Sequence, residues 1–308
     1  MNTESGHETV LREEAVQALA VRPDGVYVDL TFGRGGHSQE ILRRLGDAGR
    51  VIALDRDQQA VAAGAGWRDA RFTIRHAPFS QMDAVLDEMG VRQVNGIVMD
   101  LGVSSPQLDE AERGFSFRQD APLDMRMDQT SGLTAEQWLA GVEETELREV
   151  LWQYGEERHA KAIARAIVAQ RARAPIATTH QLARLVSSVV PGRETGHHPA
   201  TRTFQAVRIY INRELEELSL TLPRAADRLA PGGRLVVISF HSLEDRMVKR
   251  FMRERSSPPA LPARLPLRAH EIPAARMRLA GRAMRAGERE VLNNPRARSA
   301  VMRVLEAL

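Results

Sequence analysis

The chain has 308 residues, of which 43% are hydrophobic and 27% charged, and it contains no cysteine. At roughly 150 residues per domain, this length predicts about two globular domains and excludes a small scaffold, a disordered chain and a fibrous repeat. The lack of cysteine excludes a disulfide framework and thiolate-bound zinc or iron–sulfur centres. The net charge of only +3 permits a nucleic-acid partner without demanding one.

The sequence shows no pattern of membrane insertion or secretion. No stretch approaches the roughly 18 to 20 uninterrupted apolar residues of a membrane-spanning helix. The N-terminal residues also lack a basic segment followed by an apolar one, which is the pattern of a secretion signal. We therefore expect a cytoplasmic protein without a membrane partner.

About the first hundred residues alternate between short apolar runs and segments with helical spacing. The apolar runs lie at residues 25–30, 50–55, 71–76 and 95–101. They contain few alternating polar residues, which is typical of strands buried on both faces of a parallel sheet. This alternation predicts an α/β fold built from βαβ units.

A glycine-rich turn follows the first predicted strand, at residues 29–38. Glycine lets the backbone approach a ligand closely, and helix-start amides bind anionic groups, although such a turn is often only a turn. Asp55 ends the second predicted strand twenty residues after Gly35, where doubly wound folds place a carboxylate against ribose hydroxyls. We therefore predict a nucleoside-containing cofactor above Gly33 and Gly35.

Two residues of this turn favour one cofactor over another. Ser38 occupies the position of the third glycine in the dinucleotide fingerprint, which counts against a nicotinamide dehydrogenase. Asp29 would repel a pyrophosphate but attract the ammonium or sulfonium of S-adenosylmethionine. A loop carboxylate that caps the turn is the alternative for Asp29. The pattern favours S-adenosylmethionine, with S-adenosylhomocysteine as the product.

The third and fourth predicted strands end at the same sheet edge. Phe79 follows the third strand, either as a flank for adenine or as a core residue. Asp100 ends the fourth strand and faces the reactive end of the cofactor, because ligands in such sheets bind outside the carboxyl ends of strands. The following loop, residues 104–107, resembles the proline-containing loop of methyltransferases that act on exocyclic amines, with Gln107 in place of an aromatic residue.

A long interval separates the fourth strand from the next strand-like run, at residues 232–240. The interval exceeds the roughly 30 residues of a βαβ unit by about a hundred, and its apolar residues have helical spacing. This pattern predicts an inserted α-helical domain. We place a first part of the sheet domain at residues 1–108, the insert at 109–205 and the second part of the sheet domain at 206–308.

Apolar residues from Phe204 to Leu222 recur with the spacing of one long helix, which Pro223 ends or kinks. Residues 256–270 are rich in proline and predict an excursion between sheet elements. Residues 296–308 contain the pattern of a last strand.

His241 follows the last predicted central strand and is compatible with a place in the cleft or a structural role. Ser242 and Asp245 have the spacing of a capping box for the next helix. His197 and His198 have no metal-ligand spacing around them, and we predict no metal site.

Several long strings resemble those of one known family. They lie at residues 31–38 (TFGRGGHS), 100–109 (DLGVSSPQLD), 112–128, 154–158, 198–212, 239–251 and 294–300. This is the bacterial 16S ribosomal RNA (cytosine-N4)-methyltransferase family, and the match spans nearly the whole chain. The resemblance implies a class I S-adenosylmethionine-dependent methyltransferase with a Rossmann-like fold. It also implies N4 methylation of one cytidine in the decoding centre of the small ribosomal subunit, at the P site.

The resemblance implies a set of cofactor contacts at the strand ends: Gly35, Gly36, His37, Asp55, Phe79, Asp100 and Gln107. For the reaction, our hypothesis is that one carboxylate and the following loop hold the amine in line with the methyl group. The candidate catalytic residues are Asp100, Ser104, Ser105 and Pro106. Asp100 either accepts the departing proton or holds the ammonium of the cofactor.

The expected partner is 16S ribosomal RNA in the small subunit, and the family suggests a homodimer. Candidate phosphate contacts are Arg158, Lys161, Arg165, Arg202, Arg296 and Arg298, although exposed cations are often only solvated. The loop at residues 113–128 has two alternative roles. It either covers the cleft and stacks on an extruded base, or it is an ordered strap that packs the insert onto the sheet domain. A noncatalytic ribosome-assembly factor with the same fold is the main alternative function.

Overall fold

The computed structural model describes residues 9–190, 198–258 and 274–308. The chain forms two compact units, Met1–Gly102 with Glu216–Leu308 and Val103–Leu215, which we call the sheet unit and the helical unit. The helical unit extends beyond the boundaries 109 and 205 that the sequence suggested. Flanking residues such as Val103, Val207 and Ile211 pack into its apolar core, which accounts for the difference.

The sheet unit begins as a regular alternation of strands and helices. Its first elements are α1 (Arg12–Ala18), β1 (Val26–Asp29), α2 (Gly36–Arg44), β2 (Arg50–Asp55), α3 (Gln58–Ala65), β3 (Phe72–His76), α4 (Met82–Glu88) and β4 (Val94–Asp100). The four strands match the four apolar runs of the sequence. The βαβ prediction is therefore confirmed.

The helical unit follows and contains helices packed around one apolar core. Its helices are α5 (Ser105–Asp109), α6 (Ala135–Gly141), α7 (Glu144–Gly155), α8 (Ala160–Arg171), α9 (Thr179–Val189), α10 (Thr201–Ile211) and the start of α11 (Glu214–Asp227). Fully buried side chains at helical spacing, such as Leu147 and Leu151 on α7 and Ile163 and Ile167 on α8, form the core. Among the described residues, no helix is both long and apolar enough to cross a membrane.

The chain then returns to the sheet unit. The remaining elements are β5 (Leu229–Ser239), α12 (Ser242–Arg255), β6 (Met277–Leu279), β7 (Met284–Arg285), α13 (Glu288–Asn293) and β8 (Val301–Ala307). The last strand lies where the sequence predicted one. The proline-rich excursion falls largely on residues 259–273, and His197 falls in 191–197; both segments lie outside the described residues.

In the described part of the chain, eight strands form a single sheet in the order β3-β2-β1-β4-β5-β8-β6, with β7 also paired to β8. Strands β1 to β5 run parallel, and β8 runs antiparallel to β5. The sheet is therefore mostly parallel and Rossmann-like, as predicted. A dinucleotide-binding fold made of two βαβαβ halves would place a parallel strand beside β5, so the antiparallel β8 departs from that pattern.

Both faces of the sheet are covered, which explains the near-continuous apolar runs of the sequence. Val28, Ile52 and Ile97 point to one face and pack with α4, α11 and α12. Val51 and Val98, each next to one of these residues along its strand, point to the other face and pack with α1 and α2. Because side chains alternate along a strand, a polar residue inside any of these strands would be buried on one face or the other.

The apolar stripe from Phe204 to Leu222 is not one helix, contrary to the prediction. Helix α10 ends at Ile211, α11 begins at Glu214, and Arg213 between them has a positive φ of 51°. Asn212 stabilises this break, because its side chain accepts a hydrogen bond from the Met127 amide at 2.8 Å and donates one to the Met125 carbonyl at 2.7 Å. The sequence pattern could not reveal these tertiary contacts.

Two prolines lie inside regular elements of the sheet unit. Helix α11 continues past Pro223 to Asp227, so of the two predicted effects of this proline the helix end is wrong and the kink stays a prediction. The Pro231-Gly232-Gly233 segment lies within β5, where the pairing with β4 shifts register between Val94 and Gly96. Gly232 has a φ of 76°, which glycine adopts easily.

Candidate functional site

The carboxyl ends of β1 and β4 form the topological switch point of the sheet. From β1 the chain continues to β2 and β3 on one side, and it reaches β4 and β5 on the other. Open α/β sheets bind ligands in the crevice at this point. Asp29, Asp55 and Asp100 are the last residues of β1, β2 and β4, so three carboxyl groups lie at this edge.

The glycine turn between β1 and α2 depends on the packing of the protein itself. Gly33 and Gly35 have φ angles of 55° and 78°, a region that disfavours other residues. A Cβ atom on Gly35 would lie 2.5 Å from the Trp67 ring and 2.6 Å from the Phe32 ring. A Cβ on Gly36 would overlap the side chain of Thr9. Internal packing is thus a second reason for these glycines, beside the close approach of a ligand that the sequence suggested.

Asp29 is fully buried and caps the turn. Its Oδ2 accepts a hydrogen bond from the Ser38 hydroxyl at 2.7 Å, and its Oδ1 accepts one from the Thr31 amide at 3.2 Å. Burial nevertheless raises its pKa to about 6. The capping role left open by the sequence is present, and the carboxyl is also desolvated enough for a nearby cation to stabilise its charged form.

Asp55 connects the glycine turn to the end of β2. Its Oδ2 accepts a hydrogen bond from the Gly33 amide at 2.7 Å, and its Oδ1 accepts one from the Asp57 amide at 2.8 Å. Burial raises the pKa of Asp55 to about 6 despite these bonds. Each carboxylate oxygen has a second lone pair, so ribose hydroxyls remain suitable donors to this group.

Of the three carboxyl groups at this edge, that of Asp100 has the fewest hydrogen bonds to offset its burial among the described residues. Its backbone amide donates to the Thr31 hydroxyl at 2.6 Å, and its side chain is 22% exposed. Within the described residues, however, its buried Oδ1 has no hydrogen-bond partner. Burial raises the pKa of Asp100 well above its usual value, and the negative charges of Asp29, Glu244 and Glu290 raise it further.

His37 does not supply the missing positive charge. Its Nδ1 lies 4.0 Å from Oδ2 of Asp100. Burial lowers the pKa of His37 to about 4, so the imidazole is neutral at pH 7. An acid group that lacks a counter-ion and a hydrogen bond is costly to keep buried, and a ligand that donates to Oδ1 would reduce that cost.

Phe79 begins a short 3-10 helix, Phe79–Gln81, after β3. Its ring is partly buried and packs against the apolar cluster of the sheet face that α4 and α11 cover. The structure therefore shows the core contact, and an adenine contact stays a prediction.

The Ser-Ser-Pro-Gln loop after β4 belongs to the helical unit and forms the start of α5. Gln107 Oε1 accepts a hydrogen bond from the Ser104 amide at 3.0 Å, and the Ser104 hydroxyl accepts one from the Gln107 amide at 3.5 Å. Pro106 lies in the first turn, where its missing N–H costs nothing. This capping box gives Ser104 and Gln107 a structural role that the sequence did not reveal; catalytic and cofactor roles for this loop are not tested by it.

The predicted capping box of α12 is displaced by one residue. His241 is the N-cap, and its Nδ1 accepts a hydrogen bond from the Glu244 amide at 3.4 Å. Glu244 Oε2 accepts in return from the Phe240 amide at 2.8 Å. Asp245 instead pairs with Arg303 at 2.7 Å, so the box predicted at Ser242 and Asp245 is wrong. His241 therefore has a structural role, and its place in the cleft stays a prediction.

The loop at residues 113–128 contributes to the core of the helical unit. Phe115, Met125 and Met127 are buried there, and Phe117 is partly buried with its ring 4.8 Å from Phe204. These three buried side chains are not available for stacking on a base, and the two alternatives for the loop as a whole stay predictions.

The six candidate phosphate contacts are distributed over both units. Arg158, Lys161 and Arg165 are exposed on the helical unit, where Arg202 is partly buried. Arg296 and Arg298 lie in the 3-10 segment Pro295–Ser299 of the sheet unit. Their binding to RNA stays a prediction.

Two polar residues that position the carboxyl groups were missed from the sequence. Thr31 accepts from the Asp100 amide and donates its own amide to Asp29. Ser38 holds Asp29 but had been noted only as an absent glycine. The available signal was a hydroxyl residue within a few positions of each strand end.

Comparisons with known proteins agree with this arrangement. The model of the MraW methylase family matches residues 4–308. A ribosomal RNA small subunit methyltransferase H from Aromatoleum aromaticum is 61% identical over 306 residues, covering 99% of this chain and 98% of that protein. Its namesake from Dechloromonas aromatica is 56% identical over 308 residues, covering all of both chains.

Two solved structures are similar at lower levels. One is an rRNA methylase from Streptococcus thermophilus, with a TM-score of 0.41, 10% identity and 98% of each chain covered. The other is TrmN from Thermus thermophilus, with a TM-score of 0.42 and 13% identity over 99% of this chain and 50% of that one. The fold assignment depends on the strand order rather than on these scores. The full-length family match and relatives of about 60% identity show that the chain belongs to the MraW methylase family.

Proposed function

We propose that this chain transfers the methyl group of S-adenosylmethionine to the N4 amine of one cytidine in the decoding centre of 16S ribosomal RNA, at the P site. Family membership supports methyl transfer, and the name of the relatives supports ribosomal RNA of the small subunit as substrate. Cytidine N4 follows from the resemblance of the sequence strings. The observation that carries the proposal is the uncompensated carboxyl of Asp100 at the switch point.

The residues at the strand ends fit S-adenosylmethionine. Its ammonium and sulfonium are cations, and Asp29 and Asp100 are acid groups whose raised pKa values reflect burial. Its ribose hydroxyls are donors suited to Asp55, and its adenine suits the ring of Phe79. When bound, S-adenosylmethionine supplies a methyl group on an electron-poor sulfur atom. The turn residues Gly33, Gly35, Gly36 and His37 would surround it, with Gln107 as a further contact.

The chain's task in the reaction is to position a weak nucleophile. The lone pair of the cytosine amine is delocalised into the ring, so alignment provides much of the rate increase. Asp100 accepts an N–H of the amine through Oδ1 and takes up the proton that leaves. A carboxyl whose pKa is raised by burial suits this task, because its charged form is a stronger base than that of an ordinary aspartate. Ser104, Ser105 and Pro106 stay the further candidates of the sequence for holding the amine.

Ribosomal RNA also needs contacts outside the reacting base. Arg158, Lys161, Arg165, Arg202, Arg296 and Arg298 would bind backbone phosphates, which position RNA without reading its sequence. Family membership argues against the nicotinamide dehydrogenase considered from the sequence. The cytoplasmic location and the homodimer stay predictions.

The direct test is mass mapping of 16S ribosomal RNA from cells that lack the protein and from cells in which it is restored. We expect one N4-methyl mark on a decoding-centre cytidine to disappear and to return. An unchanged mark, or a mark on another atom or nucleotide, would contradict the proposed substrate. Calorimetry of the purified protein with S-adenosylmethionine tests the cofactor separately, and the absence of binding heat would contradict the cofactor assignment.

A further inference from the structure

The helical unit separates its charges between neighbouring helices. Residues 158–190, which contain α8 and α9, include no aspartate or glutamate, although the whole chain has 40 acidic residues among 308. We call this segment the basic hairpin. Its cations are Arg158, Lys161, Arg165, Arg171, Arg173 and Arg184. Helix α7, which precedes the hairpin, instead carries Glu144, Glu146 and Glu149. Segregation of this kind creates a local positive potential in a chain of small net charge.

The cations of the basic hairpin differ in their availability. Arg171 has a structural role, because its Nη1 donates to the carbonyls of Leu139 at 2.7 Å and Val142 at 2.6 Å. Lys161 and Arg165 are exposed and lie one turn apart, about 6 Å along the same face of α8. Arg173, just beyond α8, is exposed as well. These side chains form a short row suited to an extended polyanion.

One carboxylate outside the hairpin lies near the start of α9. Asp120 accepts a hydrogen bond from the His180 amide at 3.1 Å. A hydrogen bond from Thr178 lowers its pKa most, and the charge of Arg184 adds to that lowering. Asp120 therefore reduces the positive potential near the start of α9.

A cavity of about 300 Å³ lies between the C-terminal end of α8 and the start of α9. This volume is at the lower end of the range of roughly 300 to 1,000 Å³ for small-molecule pockets. Pro175, Ile176 and Leu185 give it apolar walls, and Arg184 contributes a cation. Ala174 and Pro175 are exposed, so the cavity opens to solvent.

Two glutamines supply polar groups to the cavity. Gln181 Oε1 accepts hydrogen bonds from the amides of Ala177 at 2.8 Å and Thr178 at 3.1 Å, which leaves its amino group as a donor. Gln170 also lines the cavity. A carboxamide both donates and accepts, as the edge of a nucleobase does. Apolar walls, carboxamide groups and an adjacent arginine together match a base with its phosphate.

We propose that the basic hairpin docks the ribosomal RNA and that the cavity receives one unstacked nucleotide other than the methylated cytidine. The inference rests on the proposed function, which makes RNA the substrate. Sequence-specific proteins bind RNA mainly at unpaired bases, which they stack and hold by their edges. A segment without acidic residues favours a polyanion as the partner. The small cavity admits a single ring and is too small for a helix of a protein partner.

The test measures binding of the full-length protein to 16S ribosomal RNA from cells that lack it, at several salt concentrations. The double variant Lys161→Ala/Arg165→Ala removes two phosphate contacts. We expect it to reduce the slope of log K against log salt by about 1.4, since each contact to a single strand contributes about 0.7. The matched control is Arg148→Ala on α7, whose exposed arginine lies outside the hairpin and should leave the slope unchanged.

Ala174→Trp tests the cavity separately from charge. The indole fills the space, so RNA affinity should fall about tenfold, in the range of one lost base stack, with no change in the salt slope. Gln170→Ala, which adds no volume, should weaken binding in the same direction and carries the test if the tryptophan variant melts at a lower temperature. Wild-type affinity in both folded variants would overturn the nucleotide site. A wild-type slope in the double variant would overturn the docking surface.

The proposed function is checked in parallel with the wild-type protein. Binding of S-adenosylmethionine and the N4-methyl mark are measured with the wild-type protein alone, so these two measurements test the proposed function without any hairpin variant. If the wild-type protein makes the mark and the variants bind RNA normally, this inference fails together with the phosphate contacts of Lys161 and Arg165, and the proposed methyl transfer stands. If it leaves no mark, the proposed function fails whatever the variants do.

Discussion

The carboxyl groups at the strand ends of the sheet unit and the carboxyl group of Asp124 in the helical unit have opposite environments. At the strand ends of the sheet unit, burial raises the pKa values of Asp29 and Asp55 to about 6, and it raises that of Asp100 further from its usual range. In the helical unit, burial of Asp124 opposes ionisation, but hydrogen bonds from Arg126 outweigh it and lower the pKa. Arginine Nε lies 2.8 Å from that carboxylate. A carboxylate paired with an arginine, as at Asp124, stabilises the fold. Buried carboxyl groups with raised pKa values mark the edge of the sheet where we expect a ligand.

The largest predicted effect is the loss of methyl transfer when Asp100 is replaced. Asp100→Asn keeps the shape of the side chain but removes its charge and its basicity. We expect methyl transfer to fall about 1,000-fold, as when a positioned acid–base or electrostatic group is lost. The melting temperature should not fall, because the substitution removes a poorly compensated buried acid. Methyl incorporation into 16S ribosomal RNA and thermal unfolding measure the two quantities. A wild-type rate at saturating S-adenosylmethionine would remove Asp100 from the mechanism.

The second prediction concerns the pH dependence of stability through Asp29. Its folded pKa of about 6 lies above the ordinary value of 3.8, so the folded state binds more protons between these values. The free energy of unfolding therefore decreases as pH rises from about 4 to about 6, by about 2 to 3 kcal/mol for this group. Asp29→Asn lacks this contribution. Relative to wild type, the variant should gain stability over that interval and keep the gain above it.

His37 also changes the pH dependence of stability, so the effect of Asp29 has to be measured as a difference between the variant and the wild type. Its pKa of about 4 lies below the ordinary value of 6.5, so the unfolded state binds more protons and stability rises with pH between them. Asp55, whose pKa is also raised to about 6, acts in the same direction as Asp29, and His37 opposes both. The difference between wild type and Asp29→Asn reports Asp29 together with its charge interaction with Asp55. Denaturant unfolding at a series of pH values provides the curves. Parallel curves would mean that Asp29 is not desolvated.

Asp124→Asn provides the matched change in the helical unit. It weakens the pair with Arg126 and should destabilise the fold by about 1.5 kcal/mol at neutral pH, the scale of a hydrogen bond to a charged group. Because the pKa of Asp124 is lowered in the folded state, this loss should vanish as the pH falls below the ordinary aspartate value. The affinity for S-adenosylmethionine, measured by calorimetry, should not change. A large loss of affinity would remove the distinction between the two kinds of carboxyl group.

The smallest predicted effect is at the N-cap of α12. His241→Ala removes the side-chain acceptor of the Glu244 amide and should cost about 1 kcal/mol, whereas His241→Asn should retain most of the stability. Thermal unfolding of both variants measures the difference. If alanine lowers methyl transfer strongly while stability is unchanged, His241 belongs to the site after all.

The sequence predicted what depends on local pattern. Apolar runs located β1 to β4, and the position of an aspartate at the end of three of them located the carboxyl edge. These features follow from strand periodicity and from the topology of parallel sheets. The sequence could not give the pKa shifts, since they depend on how deeply Asp29, Asp55 and Asp100 are buried.

Other features depend on distant partners and were missed for that reason. The break after α10 leaves the apolar stripe intact on both sides, and only the contacts of Asn212 with the 125–127 segment reveal it. The cap of α12 was placed one residue late because histidine is an uncommon N-cap. Phe115 and Met125 looked suitable for stacking on a base until their burial in the helical core was known.

The aromatic contacts behind the glycine turn have a practical consequence. Trp67 packs on Phe32 at 5.2 Å and on Phe72 at 4.7 Å, directly behind Gly35. The chain has three tryptophans, and the other two, Trp138 and Trp152, lie in the helical unit. A protein with Phe at positions 138 and 152 would have a single tryptophan, beside the turn. Its emission would report occupancy of the turn optically, without an attached dye.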